Sequence, residues 1–511
     1  MHKKLFRWVG AAIAGLAIAA TPADAAFLQE LGSPFVVGTT PYGLVSADFN
    51  RDGLPDLVSV NGGSDNATLL VRQAGGGFAA EAPTPAAEGG NFGSVADFNR
   101  DGWPDFAVSG YDGVGTASVS LRNPAGGFVY APRTPAETNP LGAIAAADFT
   151  GDGRVDLAVA QITRGLVRVV EQQVDGSFIW GGPEIATGVS PRYLATADFN
   201  GDALPDLAVT NHGSANVAVL LGQPGGGLAP EAGSPFPVGV MPWAVVAADI
   251  NGDGRTDLAV ADGGSDTVTL LERGAAGGFT PMAGSPVSVP GQPVGLATAD
   301  FNRDGRLDLA VSQFSNNTLS VLLRQPNGAY VLDSGSPLAV GTHPHDVVAT
   351  DFNRDGKPDL ATTNNGVGSV SVLLNTTPDP TPPPPPPPPA PTPAINARLV
   401  LTWTVAKTSV KVNSATLRDL PAGGATVKVY CKTCKVSQTI RTTKRTLTLT
   451  KLRGKRLKRK ATFTVTVSKP GYNGLTFSRK VKNYGRTKAA LRKAVKAPFS
   501  ETRRVTAPSA G

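Results

Sequence analysis

Carboxylates and carboxamides recur along this chain at spacings that suit a hard cation. The first cluster is Asp48, Asn50, Asp52 and Asp56, with the carbonyl of Leu54 placed as a further donor. Asp97, Asn99, Asp101, Trp103 and Asp105 repeat it, and Asp148, Thr150, Asp152, Arg154 and Asp156 follow. Asp198, Asn200, Asp202, Leu204 and Asp206 form the fourth copy, and Asp249, Asn251, Asp253, Arg255 and Asp257 the fifth. The sixth is Asp300, Asn302, Asp304, Arg306 and Asp308, and the seventh Asp351, Asn353, Asp355, Lys357 and Asp359. Oxygen donors at this spacing in a tight loop match Ca²⁺, which takes six to eight oxygens at roughly 2.3–2.6 Å. Gly53 permits the turn that folds the first loop back toward an ion. An acidic surface turn without metal is the plainer alternative, and seven copies weigh against it. Up to seven structural Ca²⁺ ions are expected. Thr150 replaces Asn in the third loop, and Ala203 replaces Gly in the fourth. A positive φ at Ala203 costs about 1 kcal/mol or more, so these two loops should bind ions more weakly.

The elements that position these loops are strands. The first Asp recurs at intervals of 49, 51, 50, 51, 51 and 51 residues, a period of stacked or radial β units. In the fifth repeat an apolar run at Trp243–Asp249 precedes the acidic loop, and Asp257–Ala261 follows it. After a turn at Gly263–Asp266 come Thr267–Leu271 and a Gly-rich hairpin leading through Phe279. Short β-rich runs split by Gly, Asn, Asp and Pro give four strands per repeat. Seven such sheets predict an all-β fold, a seven-bladed β-propeller over residues 26–376. The last repeat lacks its fourth strand, and the missing material stands at Phe27–Gly38. An N-terminal strand is expected to complete the final blade and remove the free sheet edges.

The phrase Asp-Phe-Asn-x-Asp-Gly-x-x-Asp, followed by Asp-Leu-Ala-Val and later Gly-Gly-Phe, resembles the FG-GAP or VCBS-type repeat. That repeat builds the integrin α-subunit propeller and many secreted bacterial propellers. The resemblance spans about residues 27–376. It implies a calcium-stabilised propeller of seven blades, with cation loops between the first and second strands of each blade. It implies no activity, because the fold hosts adhesion modules, lectins and some enzymes. The region around Ala415–Tyr484 resembles a basic Ig-like module of secreted actinobacterial proteins.

Charge divides the chain. From Ile395 to Gly511 there are 28 Lys and Arg against Asp419 and Glu501, a net of +26; the other 394 residues carry 19 basic and 38 acidic side chains, a net of −19. Such asymmetry implies two domains with different partners. Residues 1–25 read as a secretory signal. Lys3, Lys4 and Arg7 give a positive start, Trp8–Ala20 is a short apolar stretch, and Ala23-Asp24-Ala25 offers a cleavage point. The stretch is too short to favour a membrane span, and no later segment is apolar enough. A secreted protein is expected, soluble or held non-covalently at the cell envelope. Cys431 and Cys434, the only cysteines, suit a small disulfide loop in that compartment better than redox chemistry or zinc.

Residues 377–394 are a polyproline linker, with eight consecutive prolines at Pro382–Pro389. At about 3.1 Å per residue it spaces the next domain by roughly 50 Å. Residues 395–485 predict a small basic β-sandwich with strands at Leu399–Val405, Thr426–Tyr430, Thr446–Leu449, Thr462–Val467 and Thr476–Val481. Residues 486–511 read as a basic tail, with a short helix at Lys488–Lys496. The densest basic run is Lys451–Lys460. Nucleic acid is the reflex partner of such a run. Export points instead to cell-wall polymers, acidic polysaccharide or anionic lipid head groups, with a merely solvated face as the plainer alternative.

A ligand is expected on the face opposite the acidic loops. Six residues before each first Asp stand Tyr42, Asn91, Gly142, Arg192, Trp243, Val294 and His345, different in every repeat. Tyr42, Arg192, Trp243 and His345 are candidate ligand-binding residues, with Phe92, Tyr193 and His343 beside them. Aromatic, Arg and His side chains around an axis suit a glycan or protein; channel-mouth packing without a ligand is the alternative. No nucleophile motif such as Gly-x-Ser-x-Gly is present. The expectation is a non-enzymatic binding or adhesion protein, the competing class being a secreted polysaccharide lyase or hydrolase.

Overall fold

Each acidic loop joins two antiparallel strands, and the rest of a repeat is built outward from that hairpin. The computed structural model describes residues 25–111, 115–131, 139–378, 395–405, 409–458, 460–470, 472, 474–481 and 499–506. Of the expected signal only Ala25 is among these residues, and of the expected polyproline linker only Thr377 and Pro378; the expected helix at Lys488–Lys496 lies outside them. The chain divides into two compact units, Met1–Thr381 and Pro382–Gly511.

In the first unit, Pro41–Ala47, Asp56–Asn61, Asn66–Arg72 and Phe78–Ala80 form one antiparallel sheet. Six more sheets repeat the pattern. The second strand of every repeat is buried along all six residues. That is why these strands read as continuous Leu, Ala, Val and Ser rather than alternating, since sheets cover both faces. First strands of successive sheets lie side by side, and the seventh returns to the first. The ring closes as the repeat phase requires. Phe27–Gln29 pairs antiparallel with Leu373–Asn375, and Phe35–Val36 pairs with Ser369–Val370. Across the seam, the Leu44 amide donates to Asp346 at 2.9 Å, and the Thr363 hydroxyl donates to the Tyr42 carbonyl at 2.9 Å.

Small residues line the strands, but the blades are held apart by rings. The second residue of each loop (Phe49, Phe98, Phe149, Phe199, Ile250, Phe301, Phe352) is buried. Several meet an aromatic of the next blade edge to face: Phe49 with Phe128 at 5.9 Å, Phe199 with Phe279 at 5.6 Å, and Phe352 with Phe78 at 5.6 Å. Edge-to-face pairs at this range are favourable beyond their buried area. The ring therefore has an apolar component of stability independent of any ion.

The second unit has two sheets around one apolar core that includes Val410, Val412, Val427, Val429, Phe463 and Val465. The five expected strands are present, as Arg398–Val405, Ala425–Cys431, Leu447–Thr448, Thr462–Ser468 and Gly474–Val481. Ser409–Arg418, Val436–Thr442 and Arg456–Lys458 are additional. The expected tail needs correction, because Phe499–Thr506 is a strand paired with Gly474–Val481. Backbone pairing to an otherwise open edge, with Thr502, Val505 and Thr506 as good strand formers, outweighs the low apolar content of that stretch. Cys431 and Cys434 are joined in a disulfide.

Candidate metal loops and the axial site

The acidic loops are stitched by their own side chains. In the first, Asp48 Oδ2 accepts the Gly53 amide at 2.7 Å, Asn50 Oδ1 accepts the Asp52 amide at 2.9 Å, and Asp52 Oδ1 accepts the Leu54 amide at 2.7 Å. Asp56 is fully buried. One of its oxygens takes the Phe49 amide at 2.9 Å, and the other takes the Arg72 amide, from the third strand, at 2.8 Å. The ninth residue is thus a latch between loop and sheet, a role its spacing does not announce.

This latch limits convergence. Among the described residues, no three His, Cys, Asp or Glu side chains are grouped so as to hold a metal ion. Both oxygens of the ninth residue are turned onto amides, so it does not meet the other loop carboxylates at one point. The donor chemistry nonetheless fits a hard cation. Asp48 Oδ1 is buried without a hydrogen-bond partner. Burial raises the ninth carboxyl, to about 6 at Asp56 and Asp105 and about 7 at Asp308 and Asp359, and neighbouring loop carboxylates push the same way. A cation bound beside these carboxyls would favour their charged form and lower them again.

The loops are not equivalent. Arg154, Arg255 and Arg306 at position 7 turn back onto Asp152, Asp253 and Asp304, and Lys357 lies 3.8 Å from Asp355. Leu54, Trp103 and Leu204 bring no such charge. Thr150 donates its hydroxyl to Asp156 at 2.9 Å instead of bracing Asp152 as Asn does elsewhere. Ala203 has the expected positive φ of 65°, where the first loop has Gly53 at 85°. Ala203→Gly should raise stability by about 1 kcal/mol, and a melting comparison in calcium buffer measures it. Arg354 donates to the Gly53 carbonyl and Arg100 to the Gly153 carbonyl, so arginines at position 4 link each of these loops to the next blade.

At the other end of the sheets, register slips at the start of every first strand. The unpaired residues are Tyr42-Gly43, Asn91-Phe92, Gly142-Ala143, Arg192-Tyr193, Trp243-Ala244, Val294 and His345-Asp346. All seven positions singled out by sequence lie in these bulges. Bulges re-aim side chains, and here they gather the four candidates. His345 is 5.0 Å from Tyr42 and 5.6 Å from Trp243, ring centre to ring centre, and the Arg192 guanidinium is 5.4 Å from the Trp243 ring. Phe92 and Tyr193 join, 5.0 Å apart. His343 does not; it is exposed and stacks on Phe314 at 4.5 Å.

Three participants were not singled out by sequence. His212 meets Trp243 at 5.1 Å, and Tyr111 covers Arg192 at 5.3 Å. Both sit in turns after second strands, which the count back from the loop does not reach. Asp346 accepts from Leu44, Val347 and the Tyr193 hydroxyl across the ring. Burial raises its carboxyl to about 6. Because the folded value lies above the ordinary 3.8, its contribution to stability is complete below pH 4 and is lost as pH rises through 6. Asp346→Asn should remove a slope on the order of 2–3 kcal/mol between pH 4 and 7 and leave the variant more stable at pH 7.5. Thermal melts across that range read the difference. Two cavities, of about 250 and 330 Å³, lie away from this cluster.

A closed ring of sheets with hairpin loops at one end is a β-propeller. The FG-GAP-like repeat matches residues 48–108, 97–159, 148–209, 198–260 and 249–311, and the FG-GAP repeat matches 343–373, together more than half of the chain. The chain belongs to the FG-GAP repeat family. No curated protein matches it. Among solved structures, it is similar to BBS1N in complex with ARL6DN, at 13% identity over 69% of this chain and 96% of that one, TM-score 0.48. It is similar also to the periplasmic gluconolactonase PpgL of Pseudomonas aeruginosa, at 18% identity over 58% and 86%, TM-score 0.42. A third is Kuenenia stuttgartiensis hydrazine synthase, at 13% identity over 66% and 96%, TM-score 0.46.

Proposed function

We propose that this is an exported, non-enzymatic binding protein whose propeller takes an extracellular glycan or protein at the axial mouth, opposite the acidic loops. The observation that supports it is the gathering of Tyr42, Arg192, Trp243 and His345 by seven register slips, at positions that differ in every blade. The loops hold structural Ca²⁺ through Asp, Asn and main-chain oxygens, and the ion supplies charge neutralisation and loop rigidity. The basic second unit attaches to an anionic envelope polymer. Leu452 and Leu457 of the basic run are fully buried, and Lys451, Arg453, Arg456, Lys458 and Lys460 stand exposed on the folded surface above them. Lys411 stands directly opposite Arg456, and like charges so placed favour an anionic partner. Among the described residues no helix is long and apolar enough to cross a membrane.

The test is a panel of neutral and acidic glycans incubated with purified full-length protein, with retention and product scored separately. Retention without product, lost on Trp243→Ala, is expected. Product formation would overturn the binding-only reading in favour of a carbohydrate-active enzyme. Retention on anionic polymers should fall above moderate salt; retention unchanged by salt counts against the electrostatic role of the second unit.

A further inference from the structure

Four shielded nitrogens at the axial mouth have no hydrogen-bond partner: Arg192 Nε, Trp243 Nε1, His345 Nδ1 and His212 Nε2. They belong to one contact chain, His212 to Trp243, Trp243 to His345, and Arg192 against Trp243. Buried polar groups in native proteins are almost always paired, so a cluster of four unpaired nitrogens marks a place where something is missing. His345 is only 4% exposed, which rules out bulk water as its ordinary partner.

The charge of the cluster is set by Arg192. Burial and then the Arg192 charge hold His345 down at about 4, and the same two causes lower His212. Both imidazoles are neutral at pH 7, and each offers one nitrogen as donor. The nearby acid, Asp346, is committed to Leu44, Val347 and Tyr193. Arg192 is covered by Tyr111 at 5.3 Å and Trp243 at 5.4 Å. With Tyr111 and Trp243 against it, the guanidinium still presents a planar N–H fork, and that fork matches the two oxygens of a planar carboxylate. Tyr111, 40% exposed at the rim, offers an aromatic face for a sugar ring.

We propose that the axial cluster binds the carboxylate of a uronic-acid sugar. Arg192 takes the carboxylate, and Trp243 Nε1 with the two imidazoles donates to its remaining acceptors and to ring hydroxyls. This rests on the reading that the axial mouth takes an extracellular ligand.

The probes are trigalacturonate and its fully methyl-esterified form, titrated calorimetrically into full-length protein with Ca²⁺ present. Trigalacturonate should bind at least tenfold more tightly than the ester, and Arg192→Gln should weaken it at least tenfold. Arg192→Lys keeps a charge but not the planar fork, and it should weaken binding similarly; it serves if the Gln variant does not fold. Equal binding of acid and ester, both lost on Trp243→Ala, would overturn the acidic-sugar proposal and leave the ligand-face reading standing. Binding of trigalacturonate unaffected by either Arg192 variant would place it elsewhere, on the basic unit, and also overturns the proposal. If no glycan responds to Arg192 or Trp243 substitution, the cluster holds only solvent and both readings fail.

Discussion

Chelation with EDTA should lower the melting temperature of the propeller unit by about 10–20 °C. A ligand that binds only the folded state adds RT ln(1 + [L]/Kd), ~2.7 kcal/mol per site at a hundredfold excess. Five well-formed loops would together contribute ~13 kcal/mol, comparable with the whole stability of an ordinary domain. A chain of this length shifts by about 2 °C or less per kcal/mol, which gives the range above. Without a cation, Asp56 and its equivalents are pushed upward, first by burial and then by neighbouring loop carboxylates. Unfolding at room temperature is not expected, because the inter-blade rings around Phe49, Phe199 and Phe352 persist without metal. Calorimetric scans with and without chelator decide it. An unchanged transition would end the calcium assignment and leave the ring intact.

The ring was legible because the sequence repeats its own grammar. Asp-Phe-Asn followed by Asp-Leu-Ala-Val fixes a hairpin, and the offset of Phe27–Gly38 from the last repeat fixes how the circle closes, as the pairing of Phe27 with Asn375 bears out. The axial positions were legible for a related reason, since a variable residue inside a constant frame stands out. Neighbours brought in by other loops did not stand out. His212 and Tyr111 occupy ordinary turn sequence, and only the curvature of the ring carries them to Trp243 and Arg192. The latch role of the ninth Asp was also hidden. Spacing identifies a carboxylate at the loop's end, but not the third-strand amide, such as that of Arg72, that it meets sixteen residues later. In the second unit, Phe499–Thr506 reads as a charged tail until a partner edge is available to it.

Glu231→Ala should destabilise the propeller by about 3–5 kcal/mol, the largest loss expected from one substitution outside the loops. Glu231 leaves the fourth blade and receives both hydrogen bonds of Arg273 Nη1, at 2.6 and 2.7 Å, from the third strand of the fifth. It also accepts the Gly278 amide at 2.9 Å. Both side chains are 5% exposed or less, and the Arg273 guanidinium lies 4.9 Å from the Phe279 ring. Glu30 with Arg72 and Glu81 with Arg122 repeat the brace at two other blade boundaries. Removing the acid leaves Arg273 buried and uncompensated, which is what makes the loss large. Replacing both partners, Glu231→Leu with Arg273→Met, removes the uncompensated charge and should recover most of the stability. Denaturant titrations of the single and double variants separate the two terms. A double variant as unstable as the single one would mean that the brace itself, rather than the orphaned cation, holds the fourth blade to the fifth.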